Sequence, residues 1–323
     1  MKTFHLLITF FCIASATAFS QQNDTLLHKQ ISITELANNI KNLVELNSSQ
    51  EGATDISTID AVKLEQASFR QIVQVTAPYL HAGTQATHIC QHFLLHFLHP
   101  LKKTSEAERQ ELIEIVCRNF LDDKNFRFTD SQLDLLSEKD FNDAAKKYLE
   151  GLIKNLRTTY YFGPIAQLLS VAQITKSIPT LWEIVDTNFE KMQHRDIEVL
   201  ASLARMNEKK AGILLAEYYN SSFSYFGDPV TKKGDLCRHF ILAKKLAFSL
   251  DKTVLNCLIK EFRTIDINYA FRDGDTGFYP AQYLGACIAS MIKDYPYEKE
   301  SYSLKPKQLL EWLDTNNIQL KDR

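Results

Sequence analysis

The sequence predicts an all-α fold arranged as an α-solenoid of stacked helical hairpins. Three observations lead there. Apolar residues recur at helical spacing along most of the chain. Nowhere do strand-like alternations follow one another with hairpin turns between them. The middle of the chain also repeats itself. Ile165-Ala-Gln-Leu168-Leu169-Ser170-Val171-Ala172 overlays Ile197-Glu-Val-Leu200-Ala201-Ser202-Leu203-Ala204 at an offset of 32.

Taken in order, the pattern places helices near 33–46, 60–79, 84–98, 105–121, 131–137 and 139–156. Further helices follow near 163–174, 178–188, 194–206, 208–220, 236–250, 252–263, 280–292 and 306–315. Start signals support two of these. Ser177 precedes IPTLWEIV, with a proline in the first turn, and Asn207 precedes EKKAGILLAEYY. Three loops stand out between helices: NSSQEGATDIST (47–58), TTYYFGP (158–164) and SSFSYFGDPVTKKG (221–234).

Each repeated block breaks at a short polar turn, ITKS or MNEKK, and runs into a second apolar helix, LWEIV or ILLAEYY. A weaker third copy is LAKKLAFSLDKTVLNCLIKEF, residues 242–262. A helix pair of this size cannot bury an apolar face alone, so successive pairs stack. Over about residues 160–263 the chain resembles HEAT-like helical repeats. That resemblance implies stacked hairpins and brings no functional residue with it.

The C-terminal stretch carries a weaker resemblance, to ankyrin repeats. Ile265-Asp266-Ile267-Asn268 stands where an ADVN-type turn would be, and Gly277-Phe-Tyr279-Pro280-Ala-Gln282 resembles the helix start G-x-T-P-L-H. Tyr279 replaces the threonine and Gln282 the histidine. Leu309-Leu310-Glu-Trp312-Leu313, followed by Asn317-Ile318, would be the outer helix and the next turn, with KDYPYEKESYS (293–303) inserted. The predicted organisation is a signal peptide (1–20), an N-terminal helical region (21–157), HEAT-like repeats (158–263) and an ankyrin-like helical cap (264–323).

The chain opens MKTFHLLITFFCIASATAFS. Lys2, a short apolar run from Leu6 to Ala14, and small residues at Ala16, Ala18 and Ser20 have the layout of a cleaved secretory signal. The expected address is secreted or periplasmic, with no membrane span after cleavage. The net charge of -2 offers no basic excess for a phosphate backbone, so nucleic acid is not an expected partner. Five cysteines follow the signal, at Cys90, Cys117, Cys237, Cys257 and Cys287. Their spacing is not a disulfide framework. Cys90 and Cys117 read as small buried apolar groups, and a single bridge of Cys257 to Cys237 or to Cys287 is the alternative.

THICQHFLLHFLHP (87–100) holds His88, His92, His96 and His99, four of the nine histidines. On a helix they fall within an arc of about 80°. Apolar residues fill most of the remaining circumference, so the strip reads first as the wet edge of a packed helix. Metal binding by these four histidines is the alternative, and a contact that gains charge in acid is a third reading. No H-E-x-x-H occurs, and the strip holds no Asp, Glu or Cys to complete a ligand set. FRDGDTG (271–277) fails as an EF-hand loop. Counted from Asp273, its fifth, sixth and twelfth positions are Gly277, Phe278 and Leu284. It reads as a turn.

P-loop, G-x-G-x-x-G, G-x-S-x-G and C-x-x-C motifs are all missing, and no cofactor is expected. The expected function is a scaffold for a protein or peptide, with the aromatic loop Phe223, Tyr225 and Phe226 as its recognition element. Two alternatives come from other classes. One is a metal-dependent or acid–base enzyme using the histidine strip, and the other is a structural envelope protein without a discrete ligand.

Overall fold

The computed structural model of the chain describes residues 31–48, 67–80, 84–98, 104–121, 128, 130–158, 162–224, 242–267, 271–273, 276–297, 299 and 303–321. They are all-α apart from one short hairpin and an isolated bridge. Two compact units make up the chain, residues 1–89 and 90–323.

In the first unit α1 (Ile33–Ser48) packs on α2 (Phe69–Thr76). Leu36, Ile40, Leu43 and Val44 give α1 a single buried face at helical spacing. A helix predicted from residue 60 starts, among the described residues, only at Phe69. Ser68 explains that start. Its Oγ accepts from the Gln71 amide (3.3 Å), and its own amide donates to Gln71 Oε1 (2.9 Å), a reciprocal cap. Gln71 Nε2 also donates to Ile31 O (3.0 Å), which ties the beginnings of α1 and α2 together. α3 (Thr84–Leu95) begins in this unit, and the division falls within it.

The second unit opens with the rest of α3, then α4 (Glu106–Phe120), one turn at α5 (Asp130–Leu133) and α6 (Asp143–Leu152). α4 packs on α6. The expected helix over 139–156 is broken at its start because Phe141 is extended and Asn142 caps α6 by accepting from the Ala145 amide (2.9 Å). Cys90 and Cys117 are fully buried, as small apolar groups would be. Burial pushes both thiols up to about 12, helped at Cys117 by Glu114.

The repeated region follows: α7 (Phe162–Val171), α8 (Ile178–Ile184), α9 (His194–Arg205), α10 (Lys209–Ser224), α11 (242–247) and α12 (Lys252–Phe262). α7 packs on α9, α9 on α10, and α10 on α12. The first helices α7 and α9 thus meet each other, as do the second helices α10 and α12, an arrangement compatible with a helical repeat. The turns inside the three pairs share one backbone feature. Gln173, Asn207 and Leu250 all have positive φ, at 54°, 73° and 47°. After α7 the Ile174 amide reaches Leu169 O (2.9 Å) and the Gln173 amide Ser170 O (3.2 Å). After α9 the Glu208 amide reaches Leu203 O (3.0 Å) and the Asn207 amide Ala204 O (3.0 Å). These are two Schellman closures with non-glycine residues in the left-handed position. After α11 the Leu250 amide reaches Ala247 O (3.2 Å), while the Asp251 amide turns to Ser249 Oγ (3.3 Å).

Those turns correct the sequence overlay. Phe162 and His194, where α7 and α9 begin, stand 32 apart, but Gln173 and Asn207 stand 34 apart. α9 is two residues longer, so the offset of 32 holds at the helix starts and slips before the turns. Both start signals also act differently from their reading. Ser177 is itself in αR conformation, and its Oγ donates to Ile174 O (2.7 Å). Asn207, with positive φ, closes α9.

The chain ends with β1 (Phe271–Asp273), β2 (Thr276–Phe278), α13 (Pro280–Met291) and α14 (Pro306–Thr315). The strands pair antiparallel, with Phe271 opposite Phe278 and Asp273 opposite Thr276. Sequence reading expected a turn here and missed the strands on either side, because three residues a side show no alternation. α13 packs on both α12 and α14. Residues 293–303, where an insertion was expected, carry no described helix, and an Ile292–Leu320 bridge closes behind α14. Cys257 and Cys287 are free thiols, so the alternative of a bridge between them is not realised, and Cys237 lies outside the described residues.

Candidate functional site

Several of the residues singled out from sequence lie outside the described residues. His88 and His92 lie on α3, and His99 lies outside the described residues. His96 is half-buried in a 3-10 turn that follows α3, its ring edge-on to Phe97 at 6.1 Å. The α-helical projection that aligned the four therefore stops at Leu95. Among the described residues no group of three His, Cys, Asp or Glu side chains is placed to hold a metal.

The aromatic segment also changes. Phe223 belongs to the last turn of α10 and not to a loop, while Tyr225 and Phe226 lie outside the described residues. α10 continues because Ser221 is accommodated inside it. Its Oγ donates to Tyr218 O (2.8 Å), a bond a helical serine can make without leaving the helix.

A cleft of about 640 Å³ lies elsewhere, lined by Leu156, Arg157, Thr158, Phe162, Glu183, Ile184 and Arg195. Four short pieces of chain converge to form it. The turn that follows the 3-10 segment Ile153–Asn155 delivers Leu156, Arg157 and Thr158, and the Thr158 amide and hydroxyl both donate to Asn155 O (3.0 Å each). The first residue of α7 supplies Phe162, the last turn of α8 supplies Glu183 and Ile184, and the first turn of α9 supplies Arg195.

The connection from α8 to α9 is held by Asp196. This buried carboxylate accepts from the Asp186 amide (3.1 Å) and the Gln193 amide (2.8 Å), clasping both ends of the loop. Asp186 Oδ1 accepts from the Asn188 amide (2.9 Å), and Asn188 Oδ1 from the Glu190 amide (3.1 Å). Successive Asx turns of this kind fix a loop that has no regular structure.

Within the cleft Leu156 and Phe162 are buried, whereas Arg157 and Glu183 are exposed and ion-paired to each other. The Arg195 guanidinium lies over the Phe162 ring, 5.2 Å from its centroid. Such a contact sets the cation against the negative face of the ring. Two guanidiniums against one carboxylate leave the lining with one net positive charge.

Other polar clusters serve the fold. Arg109 donates to both carboxylate oxygens of buried Asp140 (2.7 and 3.0 Å) and to Leu135 O (2.7 Å). Asp140 also accepts from the Ser137 amide (2.8 Å) and hydroxyl (3.0 Å). Burial alone would raise the Asp140 pKa, but the Arg109 and Ser137 hydrogen bonds and the Arg109 charge outweigh it and hold the group below its usual value. Buried Tyr219 on α10 donates to Glu261 on α12. Burial first, then Glu261, drives its phenol well above the ordinary range, so it acts as a donor that bridges two helices.

No family model, no curated protein and no solved structure matches this chain.

Proposed function

We propose that the chain is an exported scaffold that binds a protein or peptide, built from HEAT-like helix pairs with an ankyrin-like end, and that its partner seats in the cleft around Arg157, Phe162 and Arg195. Export rests on the signal-like layout of residues 1–20. One observation carries the binding role. At about 640 Å³ the cleft is of ligand-site size, and it sets buried Leu156 and Phe162 beside two arginines. Buried apolar anchors ringed by arginine are the composition that protein interfaces favour. Stacked helix pairs bring distant chain segments into one surface, which is how repeat scaffolds make such seats.

Selection from a displayed peptide library on the full chain tests this reading. Enriched peptides should bind the wild type and lose most of their affinity for an Arg157→Ala/Arg195→Ala double variant. A library that yields no enriched peptide, or peptides that bind the double variant equally well, would count against it.

A further inference from the structure

We infer that the cleft recognises a carboxylate on its partner, which displaces Glu183 from Arg157. This rests on the peptide-binding reading above and deepens it.

Charge comes first. The lining carries one net positive charge in a chain whose net charge is -2, so it is locally opposite in sign to the whole. Geometry comes second. Arg195 lies over the Phe162 ring and lines the same cleft as Arg157, so a second cation stands near the exchange at Arg157. The third point is exchangeability. The Arg157 and Glu183 side chains are 62% and 50% exposed, and an ion pair this wet is weakly held. An incoming carboxylate can therefore take Arg157 from Glu183 at small cost. Leu156 and Ile184 place an apolar wall beside that exchange, so the favoured ligand carries an apolar side chain next to its acidic group.

Carboxylate can come from an acidic side chain or from a chain terminus, and three fluorescein-labelled probes separate the sources. The first is an acetylated, amidated hexapeptide with one glutamate between leucines. The second replaces that glutamate by glutamine. The third is the glutamine peptide with a free C-terminal carboxylate. Fluorescence anisotropy on the full chain gives the affinities, and circular dichroism checks that each variant folds.

At least one carboxylate probe should bind about tenfold tighter than the amidated glutamine peptide. Arg157→Gln should remove that advantage. Glu183→Gln should do the opposite and tighten the carboxylate probe several-fold, because an internal competitor is gone. A merely structural role for Glu183 predicts no gain. Two outcomes would overturn the inference alone, with library-selected peptides still binding: an amidated glutamine probe that binds as well as the acidic ones, or a Glu183→Gln variant that binds the carboxylate probe no tighter. Failure of the probes and of the selected peptides together would remove the peptide-binding reading as well.

Discussion

Single residues set the strongest local constraints, and Asp140 is the clearest. Its side chain is 2% exposed and its Arg109 partner 20%, so the pair is largely out of water. Removing one member leaves the other charge buried without compensation. Asp140→Asn should therefore cost about 3 kcal/mol in urea unfolding at neutral pH. The sign of the pH effect follows from the lowered pKa. The folded state holds Asp140 deprotonated below the unfolded value of about 3.9, so its contribution is complete above that value and fades as pH falls through the folded pKa. The gap between wild type and variant should narrow below about pH 4. A gap independent of pH would mean that the ionised pair is not what stabilises. Sequence reading placed residue-scale signals well and misjudged their mechanism. Ser177 and Asn207 both mark helix boundaries, but one donates backwards to Ile174 O and the other closes the preceding helix. Composition alone does not distinguish an asparagine that starts a helix from one that ends it, because it suits both conformations.

Elements show where close approach decides the fold. A Cβ on Gly212 of α10 would stand 2.5 to 2.9 Å from the Asp251 carboxylate. That carboxylate caps α12 by accepting from the Thr253 (2.8 Å) and Val254 (3.3 Å) amides. Gly212→Ala should push the cap aside and cost about 1 to 2 kcal/mol, whereas Gly151→Ala, where nothing lies within 4 Å, should stabilise by about 0.5 to 1 kcal/mol. Thermal unfolding of the two variants should move in opposite directions, and equal shifts would contradict the close packing of α10 on α12. At this scale most helices were legible, since amphipathic periodicity survives in a single chain. Breaks were harder. Phe141 interrupts an apolar pattern that continues on both sides, and a 3-10 turn replaces the α-helix at His96 with no change of residue type to announce it. The hairpin 271–278 was too short for period two to register.

Across the second unit, the order of contacts from α7 to α14 places sequence-distant segments side by side. Arg157 and Glu183 are 26 positions apart, with Arg195 a further 12 beyond Glu183. Nothing in local spacing announces that they share a cleft, because convergence depends on how α7, α8 and α9 pack. The sequence did flag TTYYFGP, whose Phe162 forms part of the lining, but as a loop and not as a seat. No described helix is long and apolar enough to cross a membrane. Backbone hydrogen exchange of the full chain, with and without a library-selected peptide, tests the central claim most directly. Protection should rise at 153–158 and 181–196, the turns that carry Arg157, Glu183 and Arg195. Protection confined to 84–99 or 221–234, with those turns unchanged, would place the partner elsewhere and contradict the account.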